Sequence, residues 1–338
     1  MSEFRRDPII GQWVIVHTHD SWSSEKYEKD PHYIRQAVNC QFCPGKEHFT
    51  PPEIDAIREN GSTPNQPGWK VRVISNKFPA LRVEGEIDRR HVGIYDVSNG
   101  VGAHEVVIET PDHHKGLADL EEGDVADVLK KYQSRMVDLA RDRRFKYIII
   151  FKNYGESAGT SVEHPHSQII ALPMVPEYVL KELSGARRYY EEHKRCLFCD
   201  IIEQEYRDKE RIIAQNEEFI VFAPFAPRYP FECWILPKKH SSQFASIAEH
   251  ERLSLAQLLK DCLARIKLCL SDPSYNFYLH VSPVNYEGEE SYHWHLEIVP
   301  RLTQFSGFEW GSGYYVVRTS PEDAAQYLRE VSISAKVA

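Results

Sequence analysis

Two C-x-x-C pairs, each followed at a distance by histidines, constrain this chain more than any other feature of its sequence. The first pair is Cys40 and Cys43, and the second is Cys196 and Cys199. Two thiolates on one tight turn, together with two imidazoles, complete the tetrahedral coordination that structural zinc prefers. The other cysteines lie in apolar runs, where a thiol acts as a small core hydrophobe; they are Cys233, Cys262 and Cys269. The pairs therefore predict two zinc sites rather than disulfides.

The composition indicates a globular chain in a reducing compartment. Its 338 residues carry 41 Lys and Arg against 50 Asp and Glu. The formal net charge of −9 disfavours binding to nucleic acid or to an anionic membrane surface. No apolar run approaches the roughly 20 residues of a membrane span, and residues 1–7 lack the apolar core of a signal peptide. We therefore expect a cytoplasmic protein with neither a nucleic-acid partner nor a membrane partner.

The order of the motifs repeats, which indicates a duplicated fold. The sequence Cys40-Gln41-Phe42-Cys43 recurs as Cys196-Leu197-Phe198-Cys199, and His164-Pro165-His166 recurs as His293-Trp294-His295. The predicted helices are residues 120–141, 177–194 and 247–270, and the predicted strands are 71–74, 105–109, 147–151, 219–223, 233–236 and 276–281. Strands followed by a helix and further strands in each half predict an α+β protein with antiparallel sheets flanked by helices. The predicted boundary divides residues 1–176 from residues 177–338.

Each cysteine pair has candidate histidine partners in its own half of the chain. The first half offers His113 and His164, with His114 as the rival of His113. The second half offers His240 together with His293 or His295. Because four protein ligands leave no open coordination position, both sites are predicted to be structural rather than catalytic.

A glycine- and hydroxyl-rich segment, residues 153–162, leads directly into the first histidine pair. Such a segment offers backbone N–H groups and hydroxyls to phosphate oxygens without steric bulk. Side chains at i and i+2 of a strand share a face, so His164, His166 and Gln168 are expected on one side. A neutral His166 held beside this segment can attack phosphorus and form a phosphoramidate. Gln168 can then hydrogen-bond a phosphate oxygen.

These residues resemble the histidine-triad superfamily, and within it the duplicated galactose-1-phosphate uridylyltransferase branch. The motifs that carry the resemblance follow one another through nearly the whole chain: Arg6-Asp7-Pro8, Cys40-x-x-Cys43-Pro44-Gly45, Asn76-x-Phe78-Pro79-Ala80, Thr110-Pro111-Asp112-His113, His164-Pro165-His166-Ser167-Gln168, Pro237-Lys238-Lys239-His240 and His293-Trp294-His295. The resemblance implies a duplicated histidine-triad fold and a homodimer. The acidic run 287–290 matches the position of the first half's glycine-rich segment, which argues that the second half is a scaffold.

The resemblance also implies a ping-pong transfer of a nucleotidyl group between a nucleoside diphosphate sugar and a sugar 1-phosphate, as in galactose metabolism. His166 is the implied nucleophile. The implied phosphate contacts are Asn153, Gly159, Ser161 and Gln168, and the implied nucleoside contacts are Asn76 and Phe78. The alternative is a phosphorylase of ADP-sugars or dinucleoside polyphosphates that uses inorganic phosphate. A hydrolase of the superfamily is a further alternative, but such hydrolases carry a third histidine where this chain has Gln168, which argues against rapid hydrolysis. The alternative of another class is a non-catalytic, zinc-stabilised nucleotide sensor.

For the second metal, the resemblance implies either zinc bound by cysteine and histidine or iron bound by glutamate and histidine. The cysteine pair favours zinc, as in relatives that resemble ADP-glucose phosphorylase. The predicted ligands are Cys196, Cys199, His240 and His295. The positions that match the iron form are Glu182, His280 and Glu297.

Four departures from the family pattern affect the choice of acceptor. Residues 17–24 contain no arginine where uridylyltransferases carry an anion clamp, and Lys26 or Arg35 is the candidate substitute. Tyr315 replaces a glutamate that reads sugar hydroxyls, and its loss removes a discriminating acceptor. Lys77 stands where Asp is common, and Thr160 stands where Cys is common. These departures weaken the case for galactose 1-phosphate and leave the chemistry of His166 intact.

Overall fold

In the first half of the chain, the described residues form nine strands and one long helix. The computed structural model describes residues 2–18, 39–59 and 61–333. The elements of this half are β1 (Ser2–Arg6), β2 (Trp13–His17), β3 (Glu53–Arg58), β4 (Trp69–Ser75), β5 (Arg90–Val92), β6 (Tyr95–Val97), β7 (Ala103–Ile108), α1 (Glu122–Leu139), β8 (Tyr147–Tyr154) and β9 (His166–Leu172). The predicted helix at 120–141 and the predicted strands at 71–74, 105–109 and 147–151 are confirmed within a few residues.

The second half begins with two helices and continues with a similar set of strands. Its elements are α2 (Glu177–His193), α3 (Leu197–Asp208), β10 (Ile212–Gln215), β11 (Phe219–Phe222), β12 (Cys233–Pro237), α4 (Glu249–Cys269), β13 (Tyr275–His280), β14 (His295–Pro300), α5 (Gly307–Ser312), β15 (Tyr315–Val317) and α6 (Pro321–Glu330). The predicted helices at 177–194 and 247–270 and the predicted strands at 219–223, 233–236 and 276–281 are present. Helix α3 begins inside the second C-x-x-C pair and was not predicted.

One ten-stranded sheet runs through both halves in the order β10-β11-β12-β14-β13-β8-β9-β7-β4-β3. Every neighbouring pair in it is antiparallel. The order on one side of the β13–β8 pair repeats on the other side, so the duplicated α+β fold is confirmed. The halves meet at this pair, where Asn276 lies opposite Asn153. The sequence pattern predicts a sheet in each half and does not predict that the two sheets join.

Helices α1 and α4 pack against one another and cover the sheet. The apolar stripe of α1, which includes Val125, Leu129 and Met136, is buried. The stripe of α4, which includes Leu255 and Leu259, is buried as well. Burying a side chain of this size stabilises the fold by about 1.5–3 kcal/mol. Among the helices that the structure describes, none has the length and apolar character needed to cross a membrane.

A separate three-stranded sheet joins the two ends of the chain. It has the order β1-β2-β15, and β15 runs parallel to β2. The ring centroids of Phe4 and Trp13 lie 6.4 Å apart, and those of Phe4 and Tyr314 lie 6.1 Å apart. These three rings are substantially exposed. The small sheet therefore presents an aromatic surface to its surroundings.

Candidate active site and metal centres

The first Cys/His set comes together beside the start of β9. Its members are Cys40, Cys43, His113 and His164, whose candidate ligand atoms lie within 4.8 Å of one another. The Sγ atom of Cys43 lies 3.4 Å from Nδ1 of His113 and 3.5 Å from Nδ1 of His164. Nε2 of His164 hydrogen-bonds the carbonyl of Thr110 at 2.8 Å, which leaves Nδ1 to face the thiols. His113, rather than His114, joins the set, and this donor set fits zinc.

His166 is the first residue of β9, and its ring lines a cavity beside this set. Its Nδ1 lies 2.8 Å from the backbone carbonyl of His164. A carbonyl accepts only from a protonated nitrogen, so Nε2 carries the lone pair. Burial lowers the pKa of His166 to about 4, so the ring is neutral at physiological pH. A neutral imidazole with a free Nε2 is the form that attacks phosphorus.

Gln168 is oriented by a histidine that sequence analysis missed. The backbone N–H of Ala80 donates to Nδ1 of His104 at 3.1 Å, which places the ring proton on Nε2. That Nε2 lies 2.7 Å from Oε1 of Gln168, so the side-chain amide of Gln168 keeps its NH₂ group for a ligand. Asn76 also donates to Oε1 of Gln168, at 3.4 Å. The sequence signal for this role is that His104 is a polar residue two positions from Val106 on β7, so the two side chains share a face of the sheet. Val106 lies opposite Gln168 on β9.

A cavity of about 100 Å³ brings together five of the predicted site residues. They are Asn76, Phe78, Ser161, His166 and Gln168. The ring of Phe78 is 82% exposed, so one wall of the cavity is free to pack against a ligand. The remaining predicted phosphate contacts, Asn153 and Gly159, are not among the lining residues. Thr160 directs its hydroxyl to the carbonyl of Val162 at 3.1 Å.

The second half of the chain holds the glycine-rich segment in position. Asn276 of β13 donates from Nδ2 to Oδ1 of Asn153 at 2.8 Å and to the carbonyl of Ala158 at 2.9 Å. Gly155 adopts φ of 82°, and a Cβ atom there would lie 2.0 Å from Oγ of Ser274. Glycine is therefore required at this turn for both its backbone conformation and its lack of a side chain.

A buried polar network lies behind the strand that carries His166. Nζ of Lys152 donates to a carboxylate oxygen of Glu109 at 2.6 Å and to the backbone carbonyl of His166 at 3.0 Å. The hydroxyl of Tyr132 donates to Oγ of Ser167 at 2.6 Å and lies 3.4 Å from the Glu109 carboxylate. These side chains are almost completely buried. The network therefore ties α1, β7 and β8 to the backbone of the strand that bears His166.

The second Cys/His set contains His293, and the prediction of His295 as its ligand is wrong. Its members are Cys196, Cys199, His240 and His293. Sγ of Cys199 lies 3.5 Å from Nδ1 of His240 and 3.7 Å from Nδ1 of His293. The Nε2 atoms of these histidines contact the backbone carbonyls of Glu289 and Pro237, both at 2.9 Å. The geometry repeats that of the first set, in which the equivalent residue is His164, and its donors fit zinc as well.

His295 instead joins a buried group of carboxylates and imidazoles. The members are Glu182, His280, His295 and Glu297, whose candidate ligand atoms lie within 4.8 Å of one another. Nδ1 of His280 lies 2.8 Å from Glu182, and Arg228 forms an ion pair with Glu297. Among the described residues, Nε2 of His295 and Oε1 of Glu297 have no hydrogen-bond partner and lie 3.5 Å apart. Two unpartnered buried atoms that lie this close together fit a bound cation. The positions that match the family's iron site and the second Cys/His set are therefore two distinct sites in this structure, rather than two alternatives for one metal.

His295 occupies the position in the second half that His166 occupies in the first. Each is the first residue of its strand and follows a histidine of a Cys/His set by two positions. The ring of Trp234 stacks on His295 with centroids 5.3 Å apart, and Phe198 lies 5.1 Å away. His295 is therefore completely buried and cannot reach a substrate as His166 can.

The departures from the family pattern lie in different places. Lys77 contacts the backbone carbonyl of Phe49 from Nζ at 3.5 Å, near the cavity that it lines. Tyr315 begins β15, where its ring lies 4.7 Å from Phe305. Residues 19–24, together with Lys26 and Arg35, lie outside the described residues.

Two antiparallel α+β halves, with His166 at the start of β9 beside a Cys/His set, form the architecture that the sequence motifs led us to expect of a transferase. Sequence profiles for galactose-1-phosphate uridyl transferase match the chain, the N-terminal domain at residues 1–176 and the C-terminal domain at residues 182–306. The chain belongs to the galactose-1-phosphate uridyl transferase family. It is accordingly a transferase with a nucleotidyltransferase-like function, which argues against the non-catalytic sensor.

Individual relatives extend this assignment over almost the whole chain. The chain is 38% identical to ADP-glucose phosphorylase of Arabidopsis thaliana, over 98% of this chain and 93% of that protein. It is 28% identical to galactose-1-phosphate uridylyltransferase of Thermotoga maritima, over 98% and 99% of the two chains. The crystal structure of the Arabidopsis thaliana ADP-glucose phosphorylase with bound ADP-glucose matches with a TM-score of 0.82 at 36% identity, over 98% of this chain and 100% of the other.

Proposed function

We propose that this protein transfers a nucleotidyl group from a nucleoside diphosphate sugar through a covalent intermediate on His166. The observation that carries the proposal is a neutral His166 whose free Nε2 lines the cavity beside Gln168 and Ser161. Nε2 attacks the α-phosphorus, a P–N bond forms, and the bond to the bridging oxygen breaks as the sugar 1-phosphate leaves. A phosphate oxygen of the acceptor then attacks the same phosphorus, and His166 departs as neutral imidazole.

For the particular reaction, we propose ADP-glucose as the donor and inorganic phosphate as the acceptor. The products are then glucose 1-phosphate and ADP. The higher identity to ADP-glucose phosphorylase, 38% against 28% for the uridylyltransferase, supports this choice over nearly equal spans of the chain. Tyr315 supports it too, because the chain lacks a carboxylate at the position that reads hexose hydroxyls in the uridylyltransferase pattern.

The second candidate is a hexose-1-phosphate uridylyltransferase of carbohydrate metabolism. The family profiles and the 28% identity to the Thermotoga maritima enzyme favour it. It shares the first half-reaction at His166 and differs in the base of the donor and in the acceptor. The residues that would separate the two include Asn76 and Phe78, which line the cavity.

The covalent intermediate gives a direct test of the donor. We expect the intact protein to gain the mass of one adenylyl group after brief incubation with ADP-glucose in the absence of acceptor. The adduct is expected to disappear when inorganic phosphate is added, because phosphate completes the second half-reaction. Matched incubations use UDP-glucose and GDP-mannose, and the control protein is His166→Asn, which lacks the attacking nitrogen.

The mass of the adduct decides between the candidates. A uridylyl adduct that only a hexose 1-phosphate discharges would establish the second candidate and overturn the choice of ADP-glucose. An adduct that persists in His166→Asn would place the covalent chemistry on another residue. A chain that forms no adduct and releases no sugar phosphate from any of the three donors would contradict nucleotidyl transfer itself.

We also propose that both Cys/His sets hold structural zinc. Each set offers two thiols and two Nδ1 atoms, and zinc bound there would fix His164 beside His166 and tie α3 to the second histidine motif. We expect metal analysis to find two zinc ions per chain, with one lost in Cys43→Ser and the other lost in Cys199→Ser. Cys269→Ser, which alters a cysteine outside both sets, is the control and should keep both.

The same metal analysis tests whether the buried group of Glu182, His280, His295 and Glu297 holds a metal ion. Additional iron that survives in both Cys43→Ser and Cys199→Ser would place a metal at Glu182, His280, His295 and Glu297. Purified protein that contains no zinc and remains folded would contradict the proposal for the Cys/His sets, because structural zinc contributes directly to folding.

We further propose a cytoplasmic homodimer in which residues 1–176 are catalytic and residues 177–338 are the scaffold. The exposed rings of Phe4, Trp13 and Tyr314 support a subunit contact at the small sheet, since contiguous exposed aromatic surface marks interaction sites. The completely buried His295 supports a scaffold role for the second half.

A further inference from the structure

A cavity of about 700 Å³, far larger than the cavity over His166, is lined mainly by the second half, with Arg6, Asp7 and Pro8 of the first half at its side. It lies between α3 and the face of the sheet formed by β11 and β12, lined by Leu197, Ile201, Phe222, Phe225 and Trp234. A cavity of this size with mixed apolar and polar walls is typical of a small-molecule site. The chemistry proposed for His166 does not use it.

The large cavity occupies the place in its half that the cavity over His166 occupies in the first. In the first half, β4 ends at Ser75 and Phe78 follows three residues later to line the cavity. In the second half, β11 ends at Phe222 and Phe225 follows three residues later, again lining the cavity. The C-x-x-C segment of each half supplies another wall, with Gln41 in the first and Leu197 in the second.

His295, the counterpart of His166, does not open into this cavity. Trp234 lines the cavity with its ring and stacks on His295 at 5.3 Å. Because His295 is completely buried behind Trp234, a ligand in the cavity meets an indole where a ligand in the first half meets an imidazole. A ligand there is therefore bound without covalent transfer.

The charges that line the cavity do not suit a phosphate. They comprise four arginines and five carboxylates. Arg195 donates to Asp200 at 2.7 Å and to Glu203 at 2.8 Å, and Arg211 pairs with Glu205 at 3.0 Å. Arg195 and Arg211 are already paired and offer little to an added anion, and the carboxylates of the lining outnumber its arginines. The counterpart of the glycine-rich segment is the acidic run 287–290. Glu205 also lines the cavity, and its Oε2 has no hydrogen-bond partner among the described residues. That oxygen can accept a hydrogen bond from a hydroxyl or amino group.

We infer that this cavity is a second, non-covalent binding site for a nucleoside that carries no phosphate. The apolar walls around Phe225 hold the base, and the carboxylates of α3 accept from the ribose hydroxyls. The ring of Phe225 is held in place by the guanidinium groups of Arg5 and Arg211, 4.7 Å and 5.4 Å from its centroid. The choice of a nucleoside rests on the proposed nucleotide function of the equivalent cavity in the first half.

The two equivalent phenylalanines provide matched variants for the test. Isothermal titration and saturation-transfer NMR would measure the binding of adenosine, uridine, guanosine and cytidine to the full-length protein. We expect two nucleosides per chain in the wild type, and the loss of one in Phe225→Ala and of the other in Phe78→Ala. Gln204→Trp, which places a bulky ring in the cavity from an exposed position of α3, should weaken the same site as Phe225→Ala at least tenfold.

Phosphate and sugar probes test the ligand class. At the Phe225 site, we expect AMP and UMP to bind more weakly than adenosine and uridine, and glucose not to compete. A single site that only Phe78→Ala removes would overturn the inference, as would tighter binding of the monophosphates or displacement by glucose. The His166 adduct is measured on the same variants. Phe225→Ala should still form it, so failure of the adduct and failure of the second site are separate results.

Discussion

Replacing His166 with asparagine is expected to abolish nucleotidyl transfer. Asparagine keeps a polar side chain next to the carbonyl of His164 but has no nitrogen lone pair that can attack phosphorus. Removal of a catalytic nucleophile commonly costs several orders of magnitude in kcat, so we expect the rate to fall by about 10⁴-fold or more. The measurement is single-turnover release of sugar 1-phosphate from the donor, with the free energy of unfolding followed in urea to confirm that the fold persists.

A matched histidine variant shows that the loss is specific. His114 is exposed and follows His113 without joining the first Cys/His set. His114→Asn should therefore change the rate by less than about threefold, because surface substitutions away from special features have small effects. His166→Asn that retains one hundredth of the wild-type rate would contradict the role of His166 as nucleophile.

Replacing Lys152 with methionine is expected to cost both stability and rate. The Glu109 carboxylate would be left buried without its partner, which destabilises a protein by about 3–5 kcal/mol. The backbone carbonyl of His166 would also lose its donor at 3.0 Å. A small misplacement of a catalytic group can cost up to about 100-fold, so we expect kcat to fall while KM stays nearly constant. Urea unfolding and single-turnover kinetics measure the two effects.

The double variant Lys152→Met/Glu109→Leu separates positioning from stability. Replacing both members of a buried ion pair by apolar residues is often neutral for stability, so the free energy of unfolding should recover. The rate should stay low, because the carbonyl of His166 still lacks a donor. The control is Arg135→Met/Glu105→Leu, which removes another buried ion pair between α1 and β7. Its N–O distances are 2.7 and 2.8 Å, and it does not contact His166. Full recovery of the rate in the first double variant would show that Lys152 acts only through stability.

The grouping of the first Cys/His set and the position of His166 beside it could be predicted because each depends on a short motif. Cys40 and Cys43 lie on one turn, and His164 lies two residues before His166, the first residue of β9, so local spacing determines their geometry. The long helices could also be predicted, because the period of their apolar residues is independent of what they pack against. His104 could not be predicted, because its role depends on pairing between β7 and β9, which no local pattern records.

The error at His295 has a physical explanation. His293, His295 and Glu297 share a parity along the strand, so alternation alone cannot say which histidine reaches the cysteine pair. The internal repeat contained the answer, since it aligns His293 with His164. The register of the β13–β8 pair could not be predicted either. Its paired residues, such as Asn153 and Asn276, are 123 positions apart, so they meet by tertiary contact rather than by local preference.

The β13–β8 pair has a consequence for how the two halves can be handled. If the first half were produced alone, β8 would become an edge strand with a row of free backbone N–H and C=O groups, which is a template for aggregation. The turn at Gly155 would lose Ser274, and the side chain of Asn153 would lose Asn276. We therefore expect the first half to aggregate when it is produced without the second, because the second half covers the edge that separation would expose.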